Sequence, residues 1–107
     1  MFYFSDVVIT KIAREGNNVT LSCRLKKNES GYIIWYGPPD YKTLYANGTV
    51  INPRIKSIAI VGDHSNGQYN LLLNFVTSFD EGRYKCSMSY NGTIQSQKFS
   101  LHIQKRR

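Results

Sequence analysis

The period of the apolar residues is what most constrains this chain. Val19, Leu21, Cys23 and Leu25 alternate with polar or charged neighbours, and Phe99, Leu101 and Ile103 do the same. Leu71, Leu73 and Phe75 form a third apolar row. Tyr84, Cys86 and Met88 form a fourth, with Arg83, Lys85, Ser87 and Ser89 pointing the other way. A spacing of two puts side chains on one face of a strand. No stretch of helical length carries a 3.6-residue stripe, so no helix has a face to bury. Asn47-Gly48, Asn66-Gly67 and Asn91-Gly92 lie between such rows. Asn-Gly accepts the positive φ of a two-residue turn, so each predicts a hairpin. Many short strands with frequent turn signals imply an all-β sandwich or barrel of antiparallel sheets. The 107 residues suffice for one domain and one modest core. That domain is expected over 1–104, with 105–107 a basic tail or the start of a linker. The longest aliphatic run, Ile58 to Val61, is far shorter than the ~20 residues of a membrane-spanning helix. The opening Met1 to Asp6 lacks the pattern of a signal peptide.

Four residues, three of them on these rows, carry a family resemblance. Cys23 and Cys86 both sit in inward positions, and Trp35 lies between them in Tyr32-Ile33-Ile34-Trp35-Tyr36. Tyr84 stands two residues before Cys86 in Asp80-Glu81-Gly82-Arg83-Tyr84-Lys85-Cys86. The D-x-G-x-Y-x-C string with this C…W…C spacing resembles the immunoglobulin fold, and the resemblance covers nearly the whole chain. It implies a Greek-key sandwich of two antiparallel sheets, a Cys23–Cys86 inter-sheet disulfide, Trp35 packed on it, and a Tyr84 hydroxyl closing the turn before strand F. A disulfide persists only in an oxidising compartment, which implies an extracellular domain, secreted or part of a membrane protein's ectodomain. Lys42-Thr43-Leu44-Tyr45-Ala46, the Asn47-Gly48 turn and Thr49-Val50-Ile51 read as strands C′ and C″, so the V-set arrangement is expected. V-set domains pair the Asp of the D-x-G-x-Y-x-C string with a basic residue at the start of strand D. Here Arg54 and Lys56 both qualify for Asp80. After Cys86 there is no long loop followed by F-G-x-G, which disfavours a rearranging antigen-receptor domain. The chain is more similar to the membrane-distal V-set domain of germline-encoded adhesion or immune receptors, of the nectin-like or costimulatory-ligand kind.

Four N-x-[ST] sequons, at Asn18, Asn28, Asn47 and Asn91, exceed the chance expectation of about one and support secretion. Asn28, Asn47 and Asn91 fall in expected turns, Asn18 at the entry to strand B.

Strand parity selects a binding surface. If Ile33 and Trp35 face the core, then Tyr32, Ile34 and Tyr36 face outward on strand C. By the same parity Lys85 and Ser87 face outward on strand F, and Ile94 and Lys98 on strand G. This outer GFCC′ face mixes aromatic, aliphatic and basic groups, the pattern of a protein-binding patch. The implied partner is a protein, in the first instance another immunoglobulin-like domain, bound homophilically or heterophilically. The net charge of +7 would steer an acidic partner. A different class of function is a secreted basic binder of sulfated glycans or microbial surfaces, and a virus-encoded receptor mimic would share the same chemistry. Nucleic acid is not expected, because the basic residues are scattered and no stacking platform or recognition helix accompanies them. A membrane is expected only through a parent chain. Catalysis has no footing: no metal-ligand, nucleophile or cofactor motif is present, and Asp63-His64-Ser65 is a run in sequence, which is not a triad. No metal or cofactor is expected.

Overall fold

The computed structural model describes residues 7–25, 32–90 and 92–105, with Tyr90 described by its backbone alone. Among the described residues, nine strands form two sheets. They are β1 (Val8–Arg14), β2 (Val19–Leu21), β3 (Ile33–Gly37), β4 (Thr43–Asn47), β5 (Val50–Ile51), β6 (Ile58–Val61), β7 (Asn70–Leu73), β8 (Gly82–Tyr90) and β9 (Thr93–Gln104). The larger sheet runs β1-β9-β8-β3-β4-β5 and the smaller β2-β7-β6. This is the A′GFCC′C″ and BED arrangement of a V-set sandwich. β1 pairs parallel with β9, and every other pairing among the described residues is antiparallel.

The core is built by the alternation. Val19, Leu21, Cys23 and Leu25 are all buried, although regular pairing of β2 ends at Leu21. The neighbouring amide of Cys23 donates to Asn70 Oδ1 (2.9 Å) instead. Trp35 sits directly opposite Cys86 and packs on Phe99, ring centroids 5.5 Å apart. Its indole N–H, which burial would otherwise orphan, donates to Tyr69 O at 3.0 Å. The Cys23–Cys86 disulfide joins the two sheets across a Cα separation of 6.1 Å. Tyr84 is fully buried, and its hydroxyl donates to Asp80 O, tying β8 to the turn before it. Burial pushes its phenol pKa well up, and pushes that of Tyr45 up too, whose ring meets Tyr84 edge-on.

Several expectations need correction. Phe75 does not continue the Leu71–Leu73 row: β7 stops at Leu73, Phe75 takes φ 53° and turns 71 % into solvent, and Val76 fills the core instead. Asn66-Gly67 is not a two-residue hairpin turn. Asp63 accepts from Ser65 N (3.2 Å) and Asn66 Nδ2 (2.7 Å), and these bonds wind His64–Asn66 into a short 3₁₀ turn ended by Gly67 at φ 78°. The β4–β5 turn is centred on Gly48-Thr49, since Asn47 still pairs with Val50. Among the described residues, the Asp80 carboxylate makes no ion pair with Arg54 or Lys56. It accepts from Thr77 N (2.8 Å) in a capping box, while Thr77 Oγ1 accepts from Phe79 N. Lys56 does line the same shallow groove as Asp80.

Candidate functional site

The outer face of the larger sheet is ordered in rows fixed by strand register. One row runs Asn47, Ile34, Ser87, Ser96 across β4, β3, β8 and β9. The next runs Leu44, Tyr36, Lys85, Lys98 and ends at Val8 of β1. Above them Ser89 pairs with Ile94, and Tyr32 precedes Ile34 on the strand C side. The middle of this face is made of small residues. Ser87 and Ser96 satisfy each other through a 2.7 Å hydroxyl contact, and Ser87 is buried. Short serines between tall Tyr32, Ile34, Tyr36 and Ile94 leave a concavity of about 400 Å³, lined also by Lys85, Met88 and Ser89. Tyr32 and Ile94 stand at its rim, 65 % and 73 % exposed.

Parity in sequence therefore brought Tyr32, Ile34, Tyr36, Lys85, Ser87 and Ile94 into one hollow. Lys98 lies beside it, directly opposite Lys85. The site also contains a residue that parity could not find, Tyr41. The loop between β3 and β4 holds Asp40 and Tyr41 at φ 50° and 61°, a region that non-glycine residues rarely occupy. That turn lays the Tyr41 ring back over the sheet between the two lysines. Lys85 Nζ lies 5.3 Å from the Tyr36 centroid and 5.6 Å from the Tyr41 centroid, and Lys98 Nζ lies 5.6 Å from Tyr41. Cation–π attraction holds two ammonium groups on neighbouring strands that would otherwise repel. The Tyr41 hydroxyl is buried without a hydrogen-bond partner among the described residues.

The electrostatics of the whole sheet are one-sided. Its six strands contain Lys11, Arg14, Arg83, Lys85 and Lys98, and not one Asp or Glu. The described carboxylates, on Glu15, Asp40, Asp63, Asp80 and Glu81, all lie outside these strands. Among the described residues of these strands, nothing neutralises Lys85 and Lys98.

The other sequence candidates are placed as follows. Asn18 and Asn47 are exposed, at the entry to β2 and at the β4–β5 turn, while Asn28, Asn91 and Arg106-Arg107 of the tail lie outside the described residues. Asp63, His64 and Ser65 do not form a catalytic relay. Ser65 Oγ contacts Asp63 Oδ1, while the His64 ring stacks on Tyr69 (4.5 Å) and its Nδ1 meets Gln68 O. Ser65 lowers the Asp63 pKa by hydrogen bonding, as a turn-stabilising carboxylate requires. Among the described residues no cluster of three or more His, Cys, Asp or Glu could hold a metal ion, and no helix is long and apolar enough to cross a membrane.

The family model of the immunoglobulin V-set domain matches residues 10–105. Among solved structures, the complex of Dpr1 IG1 with DIP-eta IG1 is similar at TM-score 0.78 and 15 % identity, covering 95 % of this chain and 94 % of that one. Tim-1 is similar at TM-score 0.77 and 20 % identity, covering 96 % and 97 %. The RIG-5 IG1 homodimer is similar at TM-score 0.76 and 16 % identity, covering 94 % of each chain. No curated protein matches this chain.

Proposed function

Since this chain belongs to the immunoglobulin V-set domain family, we propose that it is an extracellular recognition module that binds another immunoglobulin-like domain through the outer face of its larger sheet. One observation carries the reading: six side chains chosen by strand parity alone converge on one hollow, with apolar walls and an unneutralised lysine pair at its edge. A hollow walled by Tyr and Ile offers the area and the polar tips that interface cores favour. Two of the similar folds are recorded as complexes of immunoglobulin domains, Dpr1 IG1 with DIP-eta IG1 and the RIG-5 IG1 homodimer. They support a partner of the same general kind.

The charge distribution favours a different molecule over a second copy. A two-fold pairing through one patch sets that patch against itself. Here it would bring together two faces that each carry Lys85 and Lys98, with no carboxylate on the strands of either copy's larger sheet to answer them. A partner whose face carries Asp or Glu gains from the same lysines, chiefly in association rate. The test is a screen of the multimerised domain against displayed immunoglobulin-like ectodomains, with the double substitution Tyr36→Ala, Lys85→Glu as the control. The double variant should lose partner binding at least tenfold while melting within about 2 °C of the parent. Undiminished binding refutes the assignment of the face.

The net charge of +7 supports a second reading, a binder of sulfated glycans, which a heparin column separates from the first. Elution near physiological salt supports the protein-binding module, and elution well above it supports the glycan binder.

A further inference from the structure

At the end of the sandwich away from this hollow, two segments are clasped side by side. Gly16 N donates to Val76 O (2.8 Å) and Val76 N donates to Asn17 O (2.9 Å). Beside them the Phe75 amide donates to Asn18 Oδ1 at 3.0 Å. Phe75 is costly on two counts. Its φ of 53° is a conformation that bulky residues avoid, and its ring is 71 % exposed. Glycine would fill that turn without strain and without presenting an apolar ring to water. A group that covered this side chain would recover the solvation part of that cost.

The same hydrogen bond fixes the orientation of Asn18. An N–H donor requires the amide oxygen, so Oδ1 faces Phe75 and Nδ2 is the atom left over. Nδ2 shares one carbon with Oδ1 and so lies no more than about 5.6 Å from the Phe75 nitrogen. Asn18 is exposed and heads the sequon Asn18-Val19-Thr20. Its oxygen is in use and, among the described residues, its nitrogen has no hydrogen-bond partner, which is the arrangement an N-linked glycan needs, because the sugar replaces one hydrogen of Nδ2.

We propose that Asn18 carries an N-linked glycan whose first N-acetylglucosamine packs on the exposed ring of Phe75, so that the glycan covers the ring and locks the strained turn. The apolar C–H face of the sugar meets the negative face of the ring, the same quadrupole attraction that orients aromatic pairs. Asn18 Oδ1 sets the geometry from the protein side, and no residue of the binding face takes part. The proposal rests on the secretory compartment inferred above and is independent of which face binds a partner.

The experiment uses the full chain secreted from eukaryotic cells, with Asn28→Gln, Asn47→Gln and Asn91→Gln leaving Asn18 as the sole acceptor. Peptide mass spectrometry reads its occupancy. Melting temperature is then compared with the same sequence made without glycan, and again after endoglycosidase trimming to a single N-acetylglucosamine. The glycan should raise the melting temperature by on the order of 4 °C, and the trimmed form should keep that increment. Phe75→Ala should abolish the increment and Phe75→Tyr should retain it. Because the increment is read within each variant, a lower baseline for Phe75→Ala does not confuse the result. A second readout is the upfield ring-current shift of the first sugar's protons, present with Phe75 and absent in the Phe75→Ala variant. An unoccupied Asn18 overturns the proposal. So does an increment of equal size with and without the Phe75→Ala substitution, which would assign the ring to another occupant.

Discussion

Gly37 is where packing specificity can be tested most sharply. A Cβ placed there would stand 2.4 Å from Cε1, 2.7 Å from Cζ and 2.9 Å from Cδ1 of the Tyr45 ring. Carbon atoms pack best at about 3.5–4.0 Å. The backbone itself permits alanine, since Gly37 is not among the glycines at positive φ. The ring cannot swing into solvent cheaply, because Tyr45 is buried and edge-on to Tyr84 at 5.5 Å. Gly37→Ala must therefore tilt Tyr45 or part β3 from β4, an overpacking cost of about 1–3 kcal/mol. Against this stands the ~0.5–1 kcal/mol that alanine gains over glycine in an ordered element. The net expectation is a loss of about 1–2 kcal/mol. In a Tyr45→Ala background the obstacle is gone and only the gain remains, so Gly37→Ala should become neutral or stabilising by about 0.5 kcal/mol. The coupling between the two sites is then about 2 kcal/mol, within the range for residues in direct contact. Urea unfolding of the four proteins, followed by the fluorescence of Trp35, measures it, with unchanged m-values as the check on two-state behaviour. An equal effect of Gly37→Ala in both backgrounds would refute the steric argument.

Two further outcomes are expected. Tyr84 keeps its proton in the folded state while the unfolded chain releases it near pH 10.0. Stability should thus be full below pH 10 and fall above it, at up to about 1.4 kcal/mol per pH unit for this group. Urea midpoints between pH 9 and 11.5 give the slope, and an equally steep slope in Tyr84→Phe would sink the attribution. The disulfide closes a sequence separation of 63 residues, so Cys23→Ala with Cys86→Ala should cost up to about 4.3 kcal/mol on the loop-closure account. A loss under ~1 kcal/mol in urea at neutral pH would show that the unfolded chain is already constrained without the bond.

What could be read from sequence, and what could not, divides by the range of the interaction. Tyr32, Ile34, Tyr36, Lys85, Ser87 and Ile94 were legible because parity along a strand is local and the buried face fixes its sense. Phe75 escaped the same rule because a residue at positive φ inserts a step, after which Val76 and not Phe75 meets the core. Asn66-Gly67 departs from the hairpin expectation because Asp63, three residues before Asn66, captures Ser65 and Asn66 and turns the loop into 3₁₀. The Asp80 ion pair fails for a related reason. Thr77-Ser78-Phe79-Asp80 is a T-x-x-D capping box, a signal present in the sequence. Its hydrogen bond from Thr77 N costs little chain entropy, whereas an exposed long-range pair is worth only about 0–1 kcal/mol. Tyr41 had no such signal, since its contacts with Lys85 and Lys98 depend on a loop turning back over two strands.

The charge asymmetry is different again. Its members were all visible as letters, yet a +7 spread over a chain says nothing until topology sorts it. Strand order places β1, β9, β8, β3, β4 and β5 in one sheet, and only then do five cations share a set of strands with no carboxylate. Solvation alone would be served as well by mixing signs on that sheet, and a mixed surface repels itself less. Segregation leaves Lys85 and Lys98 unanswered beside an apolar hollow, where desolvation by a partner strengthens whatever meets them. On the proposed reading, the charge that serves recognition is the pair of lysines held over Tyr41, and the acidic group that answers them comes from the partner.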